Sequence, residues 1–355
     1  MAPLLVHKDA RPLPLRLGGA LPFHEIAYET WGTLGRERDN AVFVSAGISA
    51  DAHVRSNDGN PAPGWWEEMV GPGLAVDTGR FFAFSTNWLG SCFGTTGPAS
   101  RDPATGRAYG PRFPMITLHD LGASVVRLMD ALGIERLHAA VGNSLGAMVV
   151  LAMAVDFPER AGRILHLSGT AWTRPGALAI RYLQRASVML DPAWRGGDYY
   201  EGGGGPVTGL AVARQIGFTT YRSVAEWNER FERRRETGPH RFDADYEVET
   251  YLRHQGTKFA ENYDPNSYLY LSKAMDLFDL RGEDGTLAAG LRAVGEPVLV
   301  VGIDSDLLMP IEEQEEIASA VPGSTFVRLS SIYGHDAFLK ETALFTPPVR
   351  DFLDR

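Results

Sequence analysis

The fold is decided by the stretch from Leu137 to Val155, which reads LHAAVGNSLGAMVVLAMAV. Its first five residues form an apolar run typical of a buried strand, and Ala147 to Val155 has the pattern of a buried helix. Between them lies Gly142-Asn143-Ser144-Leu145-Gly146, where small residues two positions before and after the serine permit a strained turn. This context predicts a nucleophile elbow with Ser144 as candidate nucleophile; an ordinary strand-to-helix turn is the alternative.

Similar apolar runs recur on both sides of this stretch and indicate further buried strands. The predicted strands cover Ala41 to Ala46, Phe81 to Thr86, Leu137 to Val141, Ile164 to Leu167, Pro297 to Gly302 and Thr325 to Leu329. A helical pattern, with apolar residues at three- and four-residue spacing, covers Asp120 to Leu132. Strands that alternate with helices predict an α/β fold with a mostly parallel central sheet flanked by helices.

The middle of the chain, from Ala171 to Ala293, has a different character. It is rich in Arg, Tyr, Trp and Glu, and its helical patterns at Ala177 to Leu190 and Tyr268 to Phe278 are not separated by apolar strands. We therefore predict that residues 1–170 and 294–355 form the core domain, with residues 171–293 inserted as a helical lid. Such a lid would roof a site at the end of the sheet and slow the entry of water.

Composition excludes several classes of protein. The 355 residues include 34 Lys and Arg against 44 Asp and Glu, and the net charge of −10 disfavours binding to nucleic acid or to an anionic membrane. Cys92 is the only cysteine, so no intramolecular disulfide and no cysteine-based zinc site is expected. The chain offers neither a secretory signal nor a sufficiently long apolar run, so we predict a cytoplasmic protein.

A serine nucleophile needs a base, and the base needs an acid that orients it. His335 follows a glycine soon after the last predicted strand and is the favoured base; His53, on the loop after the strand Ala41 to Ala46, is the runner-up. Asp304 and Asp306 both follow the run Pro297 to Gly302, and their position does not separate them as the acid.

Two backbone amides are candidates for an oxyanion hole. In an elbow of this type the amide after the nucleophile, here that of Leu145, supplies one donor. The loop after the strand Ala41 to Ala46 supplies the other, and Ile48 is the candidate there. We therefore expect Ile48 and Leu145 to face the oxygen of a bound carbonyl group.

Across nearly its whole length the chain resembles the homoserine O-acetyltransferase family of α/β-hydrolase-fold acyltransferases. The blocks that carry the resemblance are Tyr28-Glu29-Thr30-Trp31-Gly32, Gly64-Trp65-Trp66, Gly71-Pro72-Gly73, Asn87-Trp88-Leu89-Gly90-Ser91-Cys92, Gly94-Thr95-Thr96-Gly97-Pro98, Phe113-Pro114, Ala213-Arg214, Thr220-Tyr221-Arg222, Asp264-Pro265-Asn266-Ser267-Tyr268-Leu269 and Gly334-His335-Asp336-Ala337-Phe338. Together these blocks are far more specific than the elbow alone.

The resemblance implies a role for each candidate residue. It places the nucleophile on Ser144, the base on His335 and the acid on Asp306 rather than Asp304. It also implies that Arg214 binds the α-carboxylate of an amino-acid substrate and that Asp336 binds its α-ammonium group. Such charge-assisted pairs are chemically sound.

The activity that the resemblance implies is transfer of an acyl group from acyl-CoA to the side-chain hydroxyl of a small amino acid, by a ping-pong mechanism. No metal and no permanently bound cofactor would be needed. Family members that dimerise do so through the lid, so a homodimer through the lid is expected; the alternative is that the aromatic residues of the lid only pack against its own core. The expected substrates are acetyl-CoA and L-homoserine, which implies a role in amino-acid biosynthesis towards methionine or cysteine. A hydrolase of esters or thioesters is the alternative from another class.

Two departures from the usual family pattern keep other substrates open. Asn143 and Ala147 stand where many members have glycine, and Ala46 to Asp51 reads AGISAD where His-Ala-Leu-Thr-Gly-Asp is common. These changes are similar to a branch of the family that acylates L-serine, in part from succinyl-CoA. L-serine O-acetyl- or O-succinyltransferase and homoserine O-succinyltransferase are therefore alternatives.

Overall fold

The computed structural model describes residues 4–240, 242 and 244–355, and its centre is an eight-stranded sheet in the order β1-β4-β6-β5-β7-β8-β9-β10. The strands are β1 (Leu5–Asp9), β4 (His24–Trp31), β5 (Ala41–Ser45), β6 (Phe82–Thr86), β7 (Ala139–Asn143), β8 (Arg163–Leu167), β9 (Val298–Ile303) and β10 (Thr325–Leu329), while β2 (Leu13–Pro14) and β3 (Ala20–Leu21) form a small separate pair. Strands β5 to β10 are parallel, which confirms the predicted α/β-hydrolase fold and all six predicted strands.

The sequence did not predict the two antiparallel strands at one edge of the sheet. β1 pairs with β4, and β4 pairs with β6. β1 is mostly exposed and β4 is only partly buried, so neither has the continuous apolar run by which the central strands were found.

Twelve helices surround the sheet in the described part of the chain. They are α1 (Leu118–Leu132), α2 (Leu145–Asp156), α3 (Pro158–Ala161), α4 (Pro175–Leu190), α5 (Val207–Tyr221), α6 (Val224–Phe231), α7 (Glu247–Ala260), α8 (Pro265–Asp276), α9 (Leu287–Gly290), α10 (Ile311–Ala320), α11 (Ala337–Lys340) and α12 (Thr342–Asp354). None of them has the length and apolar character of a membrane span.

The core lies on both faces of the sheet, because successive strand residues point to opposite sides. On one face Phe43, Ala140 and Ile164 belong to a buried cluster that includes α1 and α2. On the other face Val141 and Leu165 belong to a second cluster, which α12 completes. α2 is buried along almost its entire length, which explains why its sequence is apolar on every side.

Between β8 and β9 the described residues contain helices α4 to α9 and no strand of the central sheet. α5 packs between α4 and α7, and Val188, Leu210 and Ala260 lie in a small buried cluster of their own. The division into a core domain and a lid remains a prediction. Because β5, β7, β9 and β10 are parallel, the loops after them meet at one edge of the sheet, and this edge carries the predicted site residues.

Candidate active site

Ser144 lies in a sharp turn between β7 and α2. Its backbone has φ 56° and ψ −120°, a conformation that a non-glycine residue rarely adopts. Two close approaches require the flanking glycines. A Cβ atom on Gly142 would lie 2.3 Å from the carbonyl oxygen of Gly146, and one on Gly146 would lie 2.6 Å from Oγ of Ser45. The elbow therefore depends on the glycines as well as on the serine.

Three of the predicted side chains form one hydrogen-bonded chain. Nε2 of His335 lies 2.8 Å from Oγ of Ser144, and Nδ1 of His335 lies 2.7 Å from Oδ2 of Asp306. All three side chains are buried, although they come from segments nearly two hundred residues apart. With hydrogen on Nδ1, His335 donates to Asp306 and accepts the hydroxyl hydrogen of Ser144, which is the geometry of general-base activation.

The structure separates the residues that sequence position left equivalent. Asp306 also accepts hydrogen bonds of 2.9 Å from the backbone amides of Leu308 and Met309, so its carboxylate is held in place. Asp304 is exposed and does not contact His335. His53 is engaged elsewhere, because its ring nitrogens lie 2.8 Å from Glu29 and 2.7 Å from the carbonyl oxygen of Ala62.

Electrostatics around His335 favour its charged form. Burial alone would lower the pKa of the imidazole, but the charge of Asp306 and the hydrogen bond to it act in the opposite direction. The net result is a pKa raised above the ordinary value of 6.5.

This raised pKa predicts the acid limb of the pH profile. His335 accepts a proton only when neutral, so activity is lost as the pH falls through its pKa. We expect kcat/KM for the acyl donor to have an acid limb centred above pH 6.5. A pH–rate profile measures the limb; a midpoint at or below 6.5 would contradict the stated role of Asp306.

Leu145 follows the nucleophile in the chain, and Ile48 follows a glycine that lies beside the nucleophile. A Cβ atom on Gly47 would lie 3.8 Å from Oγ of Ser144, which brings the loop after β5 directly beside the hydroxyl. The carbonyl oxygen of Ile48 is held by the hydroxyl of Tyr263 at 2.8 Å. Leu145 is the first residue of α2, and an amide at that position has no partner within the helix. These positions are compatible with the predicted oxyanion hole.

Arg214 lies in an aromatic cage. Its guanidinium carbon lies 4.8 Å from the ring centroid of Phe218, 5.1 Å from that of Tyr221 and 4.5 Å from that of Phe259. Nη1 lies 3.5 Å from Oγ of Ser49, while Nε is buried without a hydrogen-bond partner. The cage fixes the plane of the guanidinium and leaves hydrogen-bonding capacity for a ligand.

Asp336 is supported by a residue to which the sequence assigned no role. Burial raises the pKa of Asp336, while the charges of His335, Arg222 and Arg214 oppose this rise. Nε of Arg222 lies 3.8 Å from Oδ2 of Asp336, and Arg222 also forms a buried ion pair with Glu226. Arg222 stood within a block of the family resemblance, but only the folded chain brings it to Asp336.

One cavity of about 420 Å³ lies between the sheet edge and helices α4, α5, α7 and α8. Ser144, His335, Arg214 and Asp336 all line it, as does Arg181 on α4.

Arg181 belongs to a buried charged cluster that sequence reasoning did not find. Asp276 lies 2.7 Å from Nε of Arg181 and 2.5 Å from Nη2 of Arg185. Nη2 of Arg181 is buried without a hydrogen-bond partner. One carboxylate thus faces two guanidinium groups, and this cluster carries a net charge of +1 beside the cavity.

Comparisons with known proteins identify the fold and the family. The family model of the alpha/beta hydrolase fold matches residues 47–342. A serine O-succinyltransferase from Stenotrophomonas maltophilia strain K279a is 44% identical, over 98% of this chain and 96% of the relative. A homoserine O-acetyltransferase structure from Bacillus anthracis is 27% identical, with a TM-score of 0.91 over 99% of this chain and 98% of that one. The structure of esterase E22 is 25% identical, with a TM-score of 0.89 over 98% of this chain and 100% of that one.

Proposed function

We propose that this chain, which belongs to the homoserine O-acetyltransferase family of acyltransferases with the alpha/beta hydrolase fold, transfers a succinyl group from succinyl-CoA to the hydroxyl of L-serine. The sequence favoured acetyl-CoA and L-homoserine, and that pair is the alternative. The choice of serine and succinyl is supported by the serine O-succinyltransferase that is 44% identical over almost the full chain. It is also supported by the net positive charge of the Arg181–Asp276–Arg185 cluster beside the cavity.

In the first half-reaction, Ser144 attacks the thioester carbonyl while His335 takes the hydroxyl proton. The oxyanion accepts hydrogen bonds from the amides of Leu145 and Ile48. The carbon–sulfur bond then breaks, the CoA sulfur receives the proton from His335, and an ester of Ser144 remains. Asp306 stabilises the charge that His335 carries between these two proton transfers.

In the second half-reaction, the hydroxyl of the acceptor attacks the ester of Ser144. His335 takes the proton of that hydroxyl and returns it to Oγ of Ser144 as the ester bond breaks. Arg214 would bind the α-carboxylate of the acceptor, and Asp336 its α-ammonium group. Both line the cavity that contains Ser144, so the acceptor can be held beside the acyl-enzyme. Ping-pong kinetics follow, since CoA leaves before the acceptor reacts.

The observation that carries the choice of donor is the Arg181–Asp276–Arg185 cluster. These side chains are only 7%, 3% and 12% exposed, and an uncompensated charge at such depth is costly unless it is paired. The free carboxylate of a succinyl group on Ser144 would supply the missing negative charge, with the guanidinium of Arg181, which lines the cavity, as donor. An acetyl group ends in a methyl and would leave this donor unpaired.

A matrix of substrates tests the proposal. Purified enzyme is given succinyl-CoA or acetyl-CoA, each with L-serine, with L-homoserine and without acceptor, while free thiol and O-acyl amino acid are both measured. We expect the highest kcat/KM for succinyl-CoA with L-serine. Thiol release that is equally fast without an acceptor would identify a hydrolase, the activity named for esterase E22. Preference for acetyl-CoA and L-homoserine would return the assignment to the alternative.

Replacing Arg181 by methionine should change the choice of donor. We expect kcat/KM for succinyl-CoA to fall by about 10- to 100-fold, because a charged hydrogen bond in a dry pocket is lost. Activity with acetyl-CoA should change by less than about threefold, since an acetyl group makes no such bond. The matched control is Arg174→Gln at the start of the same helix, where the arginine pairs with Glu316. An equal loss for both donors would argue against donor recognition by Arg181.

A further inference from the structure

A second opening lies next to the central cavity and shares three cationic residues with it. Its volume is about 420 Å³, and the residues around it are Arg222, Glu226, Glu229, Arg230, Ile332, Tyr333 and Lys340. Arg222, Arg230 and Lys340 also line the cavity that contains Ser144. A molecule in this opening can therefore extend into the active site.

Two of these cations come from different elements of the fold. Arg230 lies on α6, and its guanidinium carbon is 4.5 Å from the ring centroid of Tyr251. Lys340 ends α11, which begins directly after the segment of His335 and Asp336. Lys340 is exposed and forms no ion pair within 4 Å with another described residue, although its positive charge acts on the carboxylate of Asp336. An anion between Arg230 and Lys340 would be held from two sides.

The acidic residues of the opening leave these cations available. Glu226 is buried and pairs with Arg222, so its charge is largely matched. Arg230 is 3.6 Å from Glu226, but its side chain remains 42% exposed. Glu229 is exposed to solvent, where its charge is screened. Arg230 is therefore only partly compensated by Glu226, and together with Lys340 it can bind a further anion at this mouth.

Another opening, which shares Arg214 with the central cavity, has fewer cations. It is about 380 Å³ in volume and is lined by Ser49, Phe93, Arg214, Gln255, Lys258, Phe259, Asn262 and Tyr263. Arg214 is enclosed by aromatic rings and is proposed to bind the acceptor. Lys258 is then the single remaining cation of that mouth, so it offers a phosphate group no pair of positive charges.

We propose that Arg230 and Lys340 bind the phosphate groups of the CoA tail, while its thioester end reaches Ser144 through the shared cavity. The proposal rests on the proposed use of an acyl-CoA donor. Phosphates carry most of the charge of CoA, and paired cations bind them by charge-assisted hydrogen bonds. Tyr333 and Ile332 add aromatic and apolar surface next to the cations, which suits the adenine base.

The test compares two donors that share a thioester and differ in the tail. One is succinyl-CoA, and the other is the succinyl thioester of N-acetylcysteamine, which has no phosphate. We expect Arg230→Gln and Lys340→Gln each to raise KM for succinyl-CoA by about tenfold and to weaken its dependence on salt. KM for the truncated thioester should change by less than about twofold. Lys258→Gln, at the other opening, is the matched control and should leave both KM values unchanged.

The outcomes separate the site from the proposed function. An equal rise of KM for both donors would overturn the site, because phosphates would then not be what these cations bind. A rise caused by Lys258→Gln instead would also overturn it and move the tail to the other opening. If the unmodified enzyme transfers from neither donor, the proposed succinyl transfer is refuted, and the same variants are then compared with acetyl-CoA and the acetyl thioester of N-acetylcysteamine. If no acyl-CoA is used, the site is refuted as well. Melting temperatures of all variants exclude unfolding as the cause of any rise.

Discussion

Replacing Ser144 by alanine is expected to abolish acyl transfer, lowering kcat by roughly four to six orders of magnitude. The reason is that the covalent route disappears: no other hydroxyl lies 2.8 Å from Nε2 of His335 among the described residues. A second expected result is specific to the mechanism. The intact mass of the wild-type protein should rise by one acyl group after brief exposure to the donor without an acceptor, and that of Ser144→Ala should not.

The control is Ser319→Ala, which removes an exposed serine hydroxyl on α10. This variant should keep full activity and should acquire the acyl mass. If Ser144→Ala retained activity within about tenfold of wild type, or still acquired the acyl group, the nucleophile would have to be a different residue. The mass increment also reads out the donor, because succinyl and acetyl groups differ in mass.

Most of the fold could be predicted because the core elements have sequence patterns that can be recognised within short stretches of the chain. The six central strands are short apolar runs, and the elbow is a strand, a turn and a helix that follow one another within Leu137 to Val155. The antiparallel strands β1 and β4 lacked such a signal, since β1 is mostly exposed and β4 is only partly buried.

The sequence could not predict which side chains meet when they come from segments that are distant in the chain. Asp304 and Asp306 occupy the same loop and differ by two positions, so their position in the chain did not separate them; the family resemblance favoured Asp306, and the direction of its side chain towards His335 agrees with that choice. The cluster of Arg181, Arg185 and Asp276 joins two helices across the inserted segment, and no spacing in the sequence marks such a pairing. The same holds for Arg222, which meets Asp336 more than a hundred residues later in the chain.

The aspartates also provide the most discriminating substitution. Asp306→Asn is expected to lower kcat by roughly 10³- to 10⁴-fold, although the side chain keeps its size. The carboxylate accepts a hydrogen bond of 2.7 Å from Nδ1 of His335 and one from each of two backbone amides. An asparagine whose oxygen stays with those amides turns its NH₂ group towards Nδ1. Hydrogen is then forced onto Nε2, so His335 can no longer accept the proton of Ser144.

The control variant is the same substitution two residues earlier. Asp304 is exposed, and the one hydrogen bond of its carboxylate to another described residue is a long one, 3.4 Å, from the backbone amide of Ser331. Asp304→Asn should therefore keep kcat within about twofold of wild type. The pH profile adds a readout that misfolding would not imitate. Because the charge of Asp306 raises the pKa of His335, its removal should shift the acid limb of the residual activity to lower pH. A loss of activity in Asp304→Asn that matched that of Asp306→Asn would mean that the loop as a whole, and not one oriented carboxylate, supports the imidazole.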